Sequence, residues 1–272
     1  MGRNKYSIYE DIEEQLKFII SSRVRTKMLM SLSEGAKASG ALREELGLAA
    51  STVIHAARDL ERENLLIEKE DGYHLTPMGK IITLKLMDTF KTMSILNAHK
   101  EFWLTHDMDG IPKEFLERIG ELEEAEIVRS TPTNIIKALS YYIKLVKGVK
   151  QLEGVSPILH PDFPKIIEKL VEKGTKVRLV LTEEIFEIGK EKYYHLFQEL
   201  INRENFQVWV TERPIKVAFS VTDSFISLAL FHVDGYFDTN NDLVSRSKGA
   251  INWGRELFEY YKKRARRIRE GT

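Results

Sequence analysis

Apolar positions recur at helical spacing from the first residues onward. Ile8, Ile12, Leu16, Ile19 and Ile20 form one stripe, and Val24, Met28, Leu29 and Leu32 form a second after Ser21-Ser22. This pattern predicts two helices broken near Ser21. A shorter helix, with Ser39 as its candidate cap, turns Leu42 and Leu46 inward and stops at Gly47, which can take the left-handed conformation. The next helix begins near Ser51 and runs through the Glu61-Arg62-Glu63 triplet. Val53, Ala57 and Leu60 mark its buried face, leaving Thr52, His55, Arg58, Asp59 and Arg62 outward. Asn64 ends it at positive φ. Leu65 to Lys69 and Tyr73 to Leu75 then read as strands joined by an Asp71-Gly72 turn of type I′, and Thr76-Pro77 starts a helix that continues to about residue 98.

From Glu126 the pattern changes to an alternation of short strands and helices. Strands are expected at Glu126 to Arg129, Val155 to His160 and Lys176 to Leu181, with helices at Thr133 to Lys147, Asp162 to Lys173 and Glu183 to about Asn202. Three more strands follow at Phe206 to Thr211, Ile215 to Val221 and Phe225 to Phe231, and a final helix at Lys248 to Arg269. Lys173-Gly174 and Asp234-Gly235 supply a helix stop and a turn. The expected organisation is an N-terminal helical domain over 1–98, including a linker or dimerisation helix, and a C-terminal α/β domain over 99–272. The second is a mixed sheet flanked by helices, so the fold class is α+β followed by α/β.

Composition narrows the function classes. The 272 residues carry 41 basic and 41 acidic side chains, and residues 1–80 hold 12 basic against 13 acidic. Any nucleic-acid contact must therefore come from a local patch. With no cysteine, thiolate metal sites and cysteine nucleophiles are excluded. No apolar run is long enough to span a bilayer and the first residues lack a signal-peptide core, so a soluble cytoplasmic protein without membrane contact is expected. The histidines at 55, 74, 99, 106, 160, 195 and 232 show no HxxxH-type spacing. The run from Asp238 to Asp242 imitates a calcium loop but has Leu243 and Gly249 where glycine and glutamate belong. Neither a Walker loop nor GxGxxG occurs, so no metal or cofactor is expected.

The segment ALREELGLAASTVIHAARDLERENLLIEKEDGYHLTPMGK resembles the winged helix-turn-helix of ArsR/MarR-like prokaryotic regulators. The resemblance implies double-stranded DNA as partner, with the helix at 51–63 in the major groove and the hairpin at 66–75 on the backbone. Ser51, Thr52 and His55 are the candidates for base edges, and Arg58 and Arg62 for bases or phosphate. Lys69, Tyr73 and His74 are candidates on the wing, and Arg23, Arg25 and Lys27 for flanking phosphates. Each also fits an ordinary solvated position. Reading two half-sites calls for a homodimer. The helix from Pro77 to Ala98, with Ile81, Leu84, Leu86, Met87, Phe90 and Met93, is either its seam or a linker packed on its own domain.

IKVAFSVTDSFISLALF resembles the second half of a phospholipase-D-like motif, but Lys216 stands where the nucleophilic histidine belongs, Ala218 replaces the lysine, and only Asp223 remains. That chemistry needs an imidazole nucleophile and a cation on the phosphate, so no enzyme and no catalytic residue is expected. Strand alternation puts Lys216, Ala218 and Ser220 on the former active-site face and Val217, Phe219 and Val221 toward a core. FWLTHDMDGIP, VSPILHPDFP, SLALFHVDGYFDTNNDLVS and INWGRELFEYY are similar to the methanogenesis-regulatory-protein family of archaeal regulators. This resemblance implies transcription regulation with a small-molecule effector. Candidate effector contacts are His160, Trp209, Lys216, Ser220, Asp223, Ser227, Asp234, Tyr236, Asp238 and Trp253. The two tryptophans equally fit a core, and His160 a helix cap. The basic tail YYKKRARRIR reads as a solvated helix end or as a contact for DNA or an acidic partner. The alternative to effector sensing is an adaptor whose second domain binds a protein.

Overall fold

The computed structural model describes residues 4–269. The chain divides into two compact units between Phe90 and Lys91, inside the long helix rather than at its end.

The first unit holds α1 (Lys5–Ile20), α2 (Arg23–Leu32), α3 (Ser39–Leu46), α4 (Ala50–Arg62), β1 (Leu66–Lys69), β2 (Gly72–Leu75) and most of α5 (Pro77–Ala98). Met28, Leu29, Leu42, Val53, Leu60 and Leu65 are almost completely buried together and fix the packing of α2, α3 and α4. Gly47 at φ 63° ends α3 and Asn64 at φ 56° follows α4, as the punctuation of the sequence suggests. Thr76 caps α5 by accepting the Gly79 N–H at 3.0 Å and donating to Asn64 O at 2.6 Å. Ala38 and Ala49, not serines, occupy the N-cap positions of α3 and α4, so Ser39 and Ser51 lie inside those helices.

The wing departs from the expected hairpin. Lys69 pairs with Gly72, so the turn is Glu70-Asp71, and only Gly72 takes positive φ, at 125°. The reason is a third backbone partner. Tyr73 and Lys37 exchange N–H···O bonds of 2.9 and 3.2 Å, and a Cβ on Gly72 would stand 2.5 Å from Lys37 O. This pairing turns the Tyr73 ring into the core, where it is 4% exposed. Tyr73 is therefore withdrawn from the candidate DNA contacts.

The second unit is built on an eight-stranded sheet ordered β10-β6-β5-β4-β7-β8-β9-β3. Its strands are β3 (Glu126–Arg129), β4 (Gln151–Ser156), β5 (Lys176–Thr182), β6 (Phe206–Thr211), β7 (Val217–Thr222), β8 (Ile226–Leu230), β9 (Asn241–Ser245) and β10 (Arg266–Arg267). β4, β5 and β6 pair in parallel and the other neighbours antiparallel. One face carries α6 (Lys100–Thr105), α7 (Lys113–Leu116), a 3-10 turn at Ile119–Leu122 and α12 (Lys248–Lys262). The other carries α8 (Lys137–Val146), α9 (Phe163–Glu172), α10 (Glu183–Lys192) and α11 (Tyr194–Ile201).

Several elements differ from the sequence reading, among them α8, which starts at Lys137 rather than Thr133. β4 starts at Gln151 rather than Val155, and the helix expected over 183–202 is interrupted at Tyr193. β9 arises in a segment that reads as a loop. The last helix stops at Lys262, after which Arg266 and Arg267 pair with β6 and Ile268 is buried at 3% exposure. The basic tail is thus a helix end over Tyr260–Lys262 and an edge strand over Arg266–Arg267, anchored by the apolar Ile268. Among the described residues, no helix is long and apolar enough to cross a membrane.

Candidate nucleic-acid interface and ligand cavity

On α4, Ser51, His55, Arg58 and Arg62 are exposed. Their spacing of four, three and four residues places them on one stripe, opposite buried Val53, Ala57 and Leu60. Thr52 is half-buried at the edge. Asp59 lies on the same side, with the Arg62 guanidinium bonded to it, His55 Nδ1 at 3.6 Å and Arg25 at 3.5 Å. The stripe is therefore positive but internally braced. Lys69, Arg23 and Lys27 are exposed. Arg25 is not free for phosphate: its guanidinium sits 4.0 Å over the Phe18 ring and donates to Phe18 O, tying α2 to α1. His74 Nε2 is held 2.7 Å from Asp71 Oδ1 across the wing turn and keeps the Asp71 carboxyl below its ordinary range.

In the second unit, a cavity of about 490 Å³ lies between the sheet and helices α8 to α11. It exists because the central strands present small side chains on that face. Gly154, Ser220 and Ser227 lie side by side across β4, β7 and β8, and Ala218 is paired with Ala229. The rest of the lining is mainly apolar, including Leu152, Leu179, Leu181, Ile167 and Phe163.

Two polar pairs interrupt this apolar wall. Tyr142 Oη and Ser220 Oγ are 2.9 Å apart, and burial pushes the Tyr142 phenol up to about 12. Ser227 Oγ lies 2.8 Å from both carboxylate oxygens of Asp242. Burial pushes Asp242 up to about 7, against the Ser227 hydrogen bond that favours its ionised form. Such a carboxyl can present either a donor or an anion to a bound molecule near neutral pH.

Of the expected effector residues, His160, Ser220, Ser227 and Asp238 line this cavity. The others are used elsewhere. Trp209 faces the opposite side of the sheet, edge-on to Phe258, and Trp253 is fully buried on α12, donating its indole N–H to Phe115 O at 3.1 Å. Lys216 precedes β7 and reaches outward to Asp107 and Asp109 at 2.9 and 3.0 Å. Asp223, in the β7–β8 turn, accepts the backbone N–H groups of Lys150 and Gln151. Asp234 and Tyr236 occupy an exposed turn where the aspartate accepts the Tyr236 N–H. Tyr142 and Asp242 were missed. Tyr142 reads as an ordinary amphipathic-helix residue, and Asp242 falls in an Asn/Asp-rich run.

Asp238 also joins a second constellation. Its Oδ2 lies 3.0 Å from His106 Nε2 and 3.6 Å from His232 Nε2, and the two imidazoles stack with centroids 4.5 Å apart. Both histidines line a separate cavity of about 430 Å³. Oδ1 accepts the backbone N–H groups of Asn240 and Asn241, which fixes the carboxylate plane.

Comparison with known proteins finds similarity to a regulatory protein. Residues 13–94 match the N-terminal domain of the methanogenesis regulatory protein FilR1, and residues 135–264 match its middle domain. The FilR1 protein of Methanothrix harundinacea (strain 6Ac) is 30% identical over 266 residues, covering 96% of this chain. The chain spans 59% of that relative's length. Among solved structures, the archaeal chromatin protein TrmBL2 is similar over 97% of this chain and all of its own, at 14% identity and a TM-score of 0.42. Phosphatidylserine synthase of Haemophilus influenzae Rd KW20 is similar over 53% of this chain and 39% of its own, at 11% identity and a TM-score of 0.41.

Proposed function

We propose that the chain, similar over 13–94 and 135–264 to the methanogenesis regulatory protein FilR1, is a transcription regulator of that family. In this reading it binds double-stranded DNA as a homodimer and holds a small effector in the cavity of its second unit. The observation that carries the DNA reading is the stripe of Ser51, His55, Arg58 and Arg62 on a helix whose opposite side is locked into the core. A helix of this kind fits the major groove, where short polar side chains and arginines meet base edges.

Exposed Lys69 adds a phosphate contact from the wing. A near-zero charge balance keeps the contribution of phosphate neutralisation modest, so two copies reading two half-sites are needed for useful affinity. Ile81 and Leu84, one turn apart, support a dimer seam on α5, being 65% and 54% exposed while Ile82 and Leu86 pack on their own core.

The effector reading rests on the cavity. Its lining suits a molecule with an apolar body, and the Asp242–Ser227 and Tyr142–Ser220 pairs suit one or two polar groups that fix orientation. A cavity with oriented polar groups supports sensing, whereas the exposed Leu104, Ile135, Ile136 and Val233 on this unit are what the adaptor alternative would use. The effector must bind one arrangement of the dimer better than another for a signal to pass.

The test is a promoter titration of His55→Ala and Arg58→Ala. Each is expected to weaken specific binding by about 1–3 kcal/mol. Unchanged affinity and selectivity in both variants would refute α4 as the reading head.

A further inference from the structure

The His106–His232–Asp238 constellation has an unusual proton arrangement. His106 Nδ1 lies 2.7 Å from Phe102 O. A carbonyl only accepts, so Nδ1 carries the hydrogen, and Nε2 of the neutral ring offers a lone pair. That lone pair points at Asp238 Oδ2, an acceptor, at 3.0 Å. His232 repeats the pattern, with Nδ1 3.4 Å from Thr105 O and Nε2 3.6 Å from the same carboxylate oxygen. A positive centre shared by these three atoms would meet both lone pairs.

The two rings stack at 4.5 Å and 25° between planes, and the His106 and Asp238 side chains are 1% exposed. A metal ion between the three donor atoms would take both lone pairs and the carboxylate oxygen at once. We propose that His106, His232 and Asp238 form a binding site for one divalent first-row transition-metal ion of the zinc type.

The geometry fits. The three donor atoms lie within 4.8 Å of one another. Bonds of ~2.0–2.2 Å put tetrahedral ligand atoms ~3.4 Å apart, and the observed separations of 3.0 and 3.6 Å bracket that spacing. The supporting contacts are those that metal-bound imidazoles use: each Nδ1 faces a backbone carbonyl, which sets tautomer and ring orientation. Asn241 Nδ2 donates to the same oxygen, Asp238 Oδ2, at 2.6 Å.

Two imidazoles and one carboxylate favour zinc, nickel, cobalt or iron over magnesium or calcium, which prefer all-oxygen sets. His232 is 36% exposed and both histidines line the cavity of about 430 Å³. A water or a small anionic ligand would complete the shell there. The site does not depend on the regulator reading.

The test uses the whole chain, free of any affinity tag and stripped with chelator. Zn²⁺ is titrated by calorimetry and Co²⁺ by visible absorption. One ion per chain is expected, with the intense d–d bands of a low-coordinate cobalt site. His232→Ala removes the partly exposed ligand without opening the core, and its folding is checked by circular dichroism. It lowers affinity by at least the ~10–100-fold that loss of a supporting contact costs. Asp238→Asn lowers affinity as well, whereas His195→Ala, an exposed imidazole on α11, leaves it unchanged. Lack of saturable binding at equimolar metal, or binding that His232→Ala and Asp238→Asn both leave unaltered, overturns the proposal.

Discussion

The two faces of the central sheet obey the same alternation and end in opposite states. On one, Val217, Phe219, Val221, Ile226, Leu228 and Leu230 join Trp253, Leu257 and Phe258 of α12 in one buried cluster. On the other, the intervening residues of the same strands are Gly154, Ala218, Ser220, Ser227 and Ala229, and the helices above cannot close on them. The difference is side-chain volume, not hydrophobicity. One face is filled for stability, and the other is left hollow with a buried carboxyl in it.

That contrast predicts unequal responses to substitution. The largest should come from Trp253→Ala, which empties the filled face and leaves Phe115 O without its donor. A loss of about 3–5 kcal/mol is expected in urea unfolding. A loss under about 1 kcal/mol would mean that this face is not close-packed.

Asp242→Asn probes the hollow face through pH. The folded-state pKa, about 7, is raised above that of an unfolded aspartate, so folding favours the protonated form. No penalty exists below about pH 4; it grows as pH rises to about 7 and is then constant, reaching about 4 kcal/mol at full ionisation. The wild-type chain should therefore lose stability relative to Asp242→Asn across that window. Parallel profiles for the two proteins would show that Asp242 is not held protonated.

Smaller changes sharpen the same comparison. Gly254→Ala on α12 places a Cβ 2.6 Å from Ile226 Cδ1 and 3.2 Å from Val221 Cβ, and should cost about 1–3 kcal/mol. Ala229→Val adds volume on the cavity side and should change stability by less than about 1 kcal/mol. Equal costs in chemical denaturation would erase the distinction between the faces.

Much of the first unit was legible because α2, α3 and α4 carry one apolar period each and clear punctuation at Gly47, Asn64 and Thr76-Pro77, whereas of the stripe on α1 Ile8, Ile12 and Ile20 are exposed. The errors there were tertiary. Nothing local announces that Lys37 pairs with Tyr73, yet that contact moves the wing turn and buries the ring. In the second unit, alternation along β7 correctly separated Ala218 and Ser220 from Val217, Phe219 and Val221.

β9 was hidden because its Asn/Asp-rich start has turn composition, and pairing with β3 and β8 overrides it. With β9 went Asp242. The histidine–aspartate cluster was invisible to any search by spacing, since 132 residues separate His106 from Asp238. In YYKKRARRIR the charge run drew attention, whereas Ile268, the one aliphatic residue near its end, directs the chain back to the sheet.

The central claim, that this chain is a sequence-specific DNA-binding regulator, is tested most directly by titrating the purified protein against its own promoter and a scrambled duplex at several salt concentrations. The account predicts a clear preference for the promoter, with affinity falling steeply as salt rises. Equal binding to both duplexes, or none to either, would contradict it.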